Sequence, residues 1–170
     1  MEEIEVKILE INTEEVIKNI EDLGAKRVFE GDIHFSYFDF DDKRLSKERK
    51  ILRLRKKGKI SELTFKKKIS KEKAKIMEEH EVIIEDDDSI RKILGGIGLK
   101  ERPSAKKHRI SFALDDVHFE LDTFPGIPTF LEIEAKTLDI LKEYVEKLGF
   151  SMDNALPWSG KDVLRHYGNL

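Results

Sequence analysis

Glu3-Ile4-Glu5-Val6-Lys7-Ile8 is a strand with two characters. Successive side chains on an extended backbone point to opposite faces, so Glu3, Glu5 and Lys7 share one face and Ile4, Val6 and Ile8 the other. The pattern returns along the chain. Arg53 and Arg55 alternate with Leu52 and Leu54, and Thr64 and Lys66 with Leu63 and Phe65. Glu79 and Glu81 share a face. Lys107, Arg109 and Ser111 alternate with His108, Ile110 and Phe112; His118, Glu120 and Asp122 with Val117, Phe119 and Leu121; Glu132 and Glu134 with Leu131, Ile133 and Ala135. An antiparallel sheet with a wet outer face would show such alternation. Two features point elsewhere. The signs are sorted, acids paired on some strands and bases on others, whereas an ordinary surface mixes them. The intervening helical segments also carry apolar stripes that need an apolar sheet face to pack on. If helices cover that face from outside, the charged face turns inward. About eight strands then close into a barrel wide enough for a small ligand. The expected fold is α+β: an eight-stranded antiparallel closed β-barrel with helices packed outside.

Composition bounds the class. The 170 residues suffice for one domain with a real core, read here as a single domain over 1–170. Charged residues make up 39%, yet 32 Lys+Arg against 35 Asp+Glu leave a net charge of only −3. That balance argues against a duplex nucleic-acid binder, which is usually net basic. There is no cysteine, which excludes disulfides, zinc-thiolate sites and thiol nucleophiles. No apolar run reaches the roughly 18 residues of a membrane span, and the acidic Met-Glu-Glu-Ile-Glu start carries no signal-peptide pattern. A cytoplasmic protein without membrane association is expected.

Asn12 and Thr13 supply capping side chains for a helix whose stripe is Val16, Ile17, Ile20 and Leu23, with Gly24 ending it. A strand follows over 26–38, then a polar loop over 39–50. A hairpin turns at Gly58, and the charged stretch 70–75 reads as a mobile connection. Ser89 is placed to cap a short helix, Thr137 opens a longer one ending at Gly149, and Ser159 with Asp162 forms a capping-box pattern. Glu3-Ile-Glu, Glu79-His-Glu and Glu132-Ile-Glu are three copies of one idea, each followed by a helix, which suggests a duplicated unit.

A lumen lined by both signs suits a polyphosphate with a divalent metal. Mg²⁺ or Mn²⁺ takes carboxylate and phosphate oxygens, while Arg and Lys hold the remaining phosphate oxygens. The five histidines are scattered without metal-ligand spacing; His118, sharing a face with Glu120 and Asp122, is the one to watch. No nucleophile elbow is present, and Gly95-Gly96-x-Gly98 lacks the Lys-Ser/Thr of a phosphate loop.

The ordered motifs resemble the CYTH superfamily, the triphosphate tunnel metalloenzymes. Glu3-x-Glu5-x-Lys7 matches its signature strand. Tyr37-Phe38-Asp39, Arg44-Leu45, Leu52-Arg53-Leu54-Arg55, Leu63-Thr64-Phe65-Lys66, Lys107-x-Arg109 and Leu121-Asp122 through Glu132-Ile133-Glu134 follow in the family's order. Two positions depart: Phe35 stands where many members carry an acid, and Ser159-Gly160-Lys161-Asp162 replaces the usual ending. The resemblance implies a barrel binding a divalent metal and a triphosphate-bearing small molecule, and leaves room for a homodimer. On this reading Lys7, Arg53, Arg55, Lys66, Lys107 and Arg109 grip the substrate. Glu79, Glu81, Asp122, Glu132 and Glu134 bind metal, some of them serving only to balance charge. Glu3, Glu5 and Lys161 make up the catalytic set, Glu3 or Glu5 also helping to hold metal; Lys161 fills the place of a C-terminal lysine over the phosphates or is simply solvated. The expected activity is a metal-dependent triphosphatase, with tripolyphosphate, thiamine triphosphate and nucleoside triphosphates all open as substrates. A class IV-type adenylyl cyclase is the rival, and a non-catalytic polyphosphate or nucleotide sensor the second alternative. The cyclases typically carry a His-Phe pair just before the first acidic strand, and with Glu3 as third residue no such element is expected.

Overall fold

The computed structural model describes residues 2–169. In chain order the elements are β1 (Glu2–Ile8), α1 (Thr13–Asp22), β2 (Lys26–Asp39), α2 (Arg44–Lys47), β3 (Lys50–Lys57), β4 (Ile60–Lys71), β5 (Lys75–Ile84), α3 (Asp87–Gly96), β6 (Lys100–Glu101), β7 (Ala105–Leu114), β8 (Val117–Thr123), β9 (Phe130–Ala135), α4 (Leu138–Lys147) and α5 (Gly160–His166). Eight strands run β3-β4-β5-β1-β9-β8-β7-β2, and β2 pairs back onto β3, so the sheet closes. Every pairing is antiparallel. The architecture is the expected α+β closed barrel. The short β6 lies outside the ring, pairing Glu101 with Phe38 and Lys100 with Asp39 on β2. It continues the β2 edge that β7 occupies. Pro103, which has no N–H for a ladder, falls in the gap between them.

The apolar faces lie outside, under helices. Ile4, Val6 and Ile8 of β1 join Phe112, Phe119, Leu121, Leu131 and Ile133 beneath Val16 and Ile20 of α1 and Leu141 and Val145 of α4. Leu94 of α3 covers Phe38 and Leu54 on the opposite wall. Burying a Leu or Ile side chain contributes about 1.5–3 kcal/mol, so these contacts fix which strand face points inward. Gly24 and Gly149 follow α1 and α4 at φ of 89° and 84°, a left-handed conformation that glycine adopts without strain. A third cluster closes one end of the barrel, where Val163 of α5 packs against Ile33, Phe35, Phe124, Ile127 and Phe130.

Three local expectations change. The 39–50 loop contains α2, organised by the Asp39 carboxylate, which accepts from the N–H groups of Phe40, Leu45 and Ser46 and from the Ser46 hydroxyl. The 70–75 stretch is the tip of the paired β4–β5 hairpin. Helix α3 is capped by Asp86, which accepts from the N–H of Asp88 and of Ser89; Ser89 donates rather than caps. The Asn12 and Thr137 caps form, and Ser159 with Asp162 makes the full capping box. The three acidic strands β5, β1 and β9 are neighbours in the ring.

Candidate active site

Directly paired residues in a ladder present side chains on the same face, so the register lays out the lumen. Lys7 stands opposite Glu132, and Glu5 opposite Glu134. Glu120 lies beside Glu132 and His118 beside Glu134. Arg109 pairs with Asp122 and Ser111 with Glu120. Arg53 pairs with Thr64 and Arg55 with Glu62, while Lys66 pairs with Glu79 and Thr64 with Glu81. The lumen forms a cavity of about 1010 Å³. All the residues singled out in the sequence line it: the acids Glu3, Glu5, Glu79, Glu81, Asp122, Glu132 and Glu134, and the bases Lys7, Arg53, Arg55, Lys66, Lys107, Arg109 and Lys161. Sequence reading missed Lys43, Lys50, Glu62, Lys75 and Arg102, which also line it. Glu62 was findable, two positions before Thr64 on β4. Lys75 was hidden in the apparent connection, and Lys43 and Arg102 sit on loops where alternation gives no signal.

The antiparallel ring gathers the C-terminal ends of β1, β2, β4 and β8 with the N-terminal ends of β3, β5, β7 and β9. Lys7, Lys50, Lys75 and Lys107 lie toward that end, and Lys161 joins them on α5, which a 2.7 Å Lys71–Asp162 ion pair ties to β4. Glu3, Glu62, Glu81, Glu134 and His118 lie toward the other. Cations outnumber acids toward the α5 end, where Asp122 and Glu132 also lie, and acids outnumber cations toward the far end, which Arg55 and Lys57 share.

Within it the charges form webs. Arg109 donates to both carboxylate oxygens of Asp122 at 2.6 Å and reaches Glu132 at 3.3 Å and Glu120 at 3.5 Å. Lys107 holds the same Asp122 at 2.6 Å. Lys7, 2% exposed, sits 2.5 Å from Glu132 and 2.7 Å from Glu5. Burial disfavours the charge on Lys7, but Glu132 and Glu5 overcome it and hold its pKa above the usual lysine range. Burial likewise opposes ionisation of Asp122 and Glu132, yet their cationic neighbours keep both below the usual carboxylate range. Burial, with Arg109 alongside, lowers Lys107 to about 8 despite Asp122.

The acidic end differs. Lys66 lies 2.5 Å from Glu3 and 2.7 Å from Glu79. Burial opposes ionisation of Glu3, but Lys66 and hydrogen bonds from Glu79 and Glu134 hold it well below its ordinary range. Burial and the Glu3 hydrogen bond push Glu79 up to about 7, and burial with the charge of Glu3 pushes Glu134 up to about 9. These three carboxyls crowd one ammonium. Nearby, Arg55 contacts Glu62 at 2.6 Å and Glu81 at 3.2 Å. Arg53 is different again: among the described residues it makes no ion pair, its Nη2 meets Thr64 Oγ1 at 3.4 Å, and its buried Nε has no hydrogen-bond partner. Burial and Arg55 lower its pKa.

Such a barrel, closed, antiparallel and lined with both signs of charge, defines a class of polar-lumen protein. The chain belongs to the CYTH family, whose domain it matches over residues 1–165. A Methanocaldococcus jannaschii protein provisionally named an adenylate cyclase is 29% identical over 168 residues, spanning 92% of this chain and 94% of its own. A Pyrococcus horikoshii protein of solved structure is 27% identical, with a TM-score of 0.76 over 92% of this chain and 96% of its own. A Hippeastrum protein, provisionally an adenylyl cyclase and described as having a dominant triphosphatase activity, shares the fold at 16% identity and a TM-score of 0.64, over 99% of this chain and 96% of its own. No helix among the described residues is long and apolar enough to cross a membrane.

Proposed function

We propose that the chain is a divalent-metal-dependent phosphohydrolase acting on a triphosphate-bearing substrate in the lumen. The observation that carries this reading is Arg53: a buried guanidinium that, among the described residues, has an unpartnered Nε and no carboxylate within ion-pair distance, lining a cavity where Lys7, Lys66 and Arg109 are already compensated. A buried orphan donor costs stability unless a ligand satisfies it, and phosphate oxygens match the guanidinium fork.

Among the described residues no three carboxylate or imidazole side chains already stand around one point as a ready-made coordination sphere. The chemistry nevertheless fits, since Glu3 is hydrogen-bonded to both Glu79 and Glu134, all three offer oxygen donors, and burial together with the neighbouring Glu3 raises two of their pKa values, which a hard cation would relieve. Glu3, Glu79 and Glu134 would hold Mg²⁺ or Mn²⁺; Asp122 and Glu132, gripped by Arg109, Lys107 and Lys7, balance charge instead. When bound, the ion would supply Lewis-acid stabilisation of charge on phosphate oxygens.

The chain's own residues do the rest. Arg53, Arg55 and Lys66 bind the phosphate chain from the β3–β4 wall, Lys7, Lys107 and Arg109 from the other, and Lys161 approaches from α5. Together they orient the terminal phosphorus and neutralise charge developing on the leaving oxygens. Glu5, held by Lys7 and Lys75, would take up the proton of the attacking water.

The M. jannaschii relative's provisional name makes cyclisation of ATP the second reading. Incubation with ATP and Mg²⁺ or Mn²⁺ between about pH 7 and 10, followed by product separation, decides. Release of phosphate or pyrophosphate is expected; cyclic AMP as the dominant product would overturn the hydrolase assignment.

A further inference from the structure

Asp39 ends β2 two positions past Tyr37, whose register with Arg53 sets both on the lumen face. Its carboxylate is 4% exposed and lines the cavity that the cations share. Among the described residues it forms no ion pair. Its partners are the N–H groups of Phe40, Leu45 and Ser46, at 2.8, 3.0 and 3.1 Å, and the Ser46 hydroxyl at 2.6 Å. A buried acid beside cations is thus given over to the backbone of one short segment.

That segment carries charge to the mouth of the barrel. The Phe40 peptide is the hub. Its N–H donates to Asp39, and its carbonyl accepts from the Lys43 N–H at 2.9 Å and from Arg102 Nη2 at 2.6 Å. Lys43 and Arg102 both line the cavity, and among the described residues neither meets a carboxylate. Lys7, Lys66 and Arg109, deeper inside, are each shared among acids. Lys43 is also held in the left-handed region, at φ 56° and ψ 33°, which a residue with a Cβ adopts only where its surroundings impose it. Arg49, at φ 58°, closes the segment in the same way, its carbonyl accepting from the Lys68 N–H of β4 at 3.0 Å. The segment is therefore pinned at both ends, by Asp39 and by β4.

Resting on the triphosphate reading above, we propose that Lys43 and Arg102 form an anion clamp over the α5-end mouth, closing on the phosphates nearest it, and that Asp39 is the positioning residue that sets both cations. Asp39 touches no substrate; it acts through the Phe40 peptide and α2.

The test is calorimetric binding of tripolyphosphate with Mg²⁺, on ice and at low salt. A partly exposed cation contributes about threefold to fivefold in affinity, so Lys43→Ala with Arg102→Ala should weaken binding about tenfold. Asp39→Asn keeps one acceptor oxygen and turns an amide on the Ser46 donors, and should weaken binding by about the same factor. Added to the double variant, Asp39→Asn should change affinity by less than about twofold, because its effect runs through the two cations. Ser46→Ala removes one of the four bonds and should cost about twofold, again only where both cations are present. It carries the same comparison if Asp39→Asn does not stay folded. Wild-type affinity in the double variant overturns the clamp. A full further loss on adding Asp39→Asn, or Ser46→Ala in its place, overturns the positioning role. Both results leave the triphosphate reading intact, whereas a wild type that binds no tripolyphosphate overturns that reading and the clamp together.

Discussion

Glu132 and Glu134 lie two positions apart on β9 and face opposite electrostatics. Glu132 is clasped by Lys7 and Arg109, whereas Glu134 meets the charge of Glu3. Both Gln variants should lose nearly all activity, but their stabilities should diverge. Glu132→Gln leaves two buried cations short of a partner and should cost about 3 kcal/mol in a urea titration. Glu134→Gln removes a crowded carboxyl and should raise the melting temperature in EDTA at pH 8 by about 5 °C. The sign follows from its pKa of about 9 in the folded protein against an ordinary 4.5. Between those values the folded state keeps a proton that the unfolded state has released, so wild-type stability falls as pH rises through that window. The Gln variant should lack that slope. The bases divide the same way. Arg53→Ala, with no ion pair to break, should weaken triphosphate binding about 100-fold with little change in melting temperature. Arg109→Ala strands Asp122, Glu120 and Glu132 and should unfold far more easily; similar melting temperatures for the two variants would contradict this division.

Among the elements, strands were legible and their junctions were not. Alternation in β1, β3, β4, β7, β8 and β9 marks both the barrel and the lumen face, because a period of two converts position directly into side. Residues outside regular strands have no such conversion. Lys75 reads as part of a connection because 70–75 is mostly charged, yet backbone pairing carries the β4–β5 hairpin to its tip. Arg102 is recruited by a backbone bond from its N–H to the Tyr37 carbonyl, which no side-chain pattern announces. Asp86 outcompetes Ser89 as a cap because a carboxylate accepts two N–H groups at once. Nor does sequence show which acids balance bases, since that depends on which strands become neighbours. At the barrel's α5 end, Val163 is fully buried against Ile33, Phe35 and Phe124. Val163→Ala should cost about 2 kcal/mol and speed amide exchange around Phe124 and Ile127, with exchange in β1 and β5 unchanged below global unfolding.

Over the whole molecule, a lumen holding both signs predicts joint stabilisation. Triphosphate plus Mg²⁺ should raise the melting temperature more than either alone, by about 2.7 kcal/mol of stability at 100-fold excess over Kd. A barrel with a purely structural lumen would show no shift. Salt should weaken this binding less than it weakens surface pairs such as Lys18–Asp22, because the lumen charges are shielded from ions in solution.

The ion-pair webs also bear on inheritance. A substitution at Arg109 or Asp122 alone strands a buried charge, so such sites drift only in concert, through intermediates that fold poorly. The uncharged wall of β2 carries no such obligation, and Phe35 or Tyr37 can be exchanged one at a time without orphaning a charge. Across evolutionary descent, the charged walls and the shared Tyr37 should therefore conserve what is common to this barrel, and Phe35, which already departs from the acid of many members, should be where lineages part company.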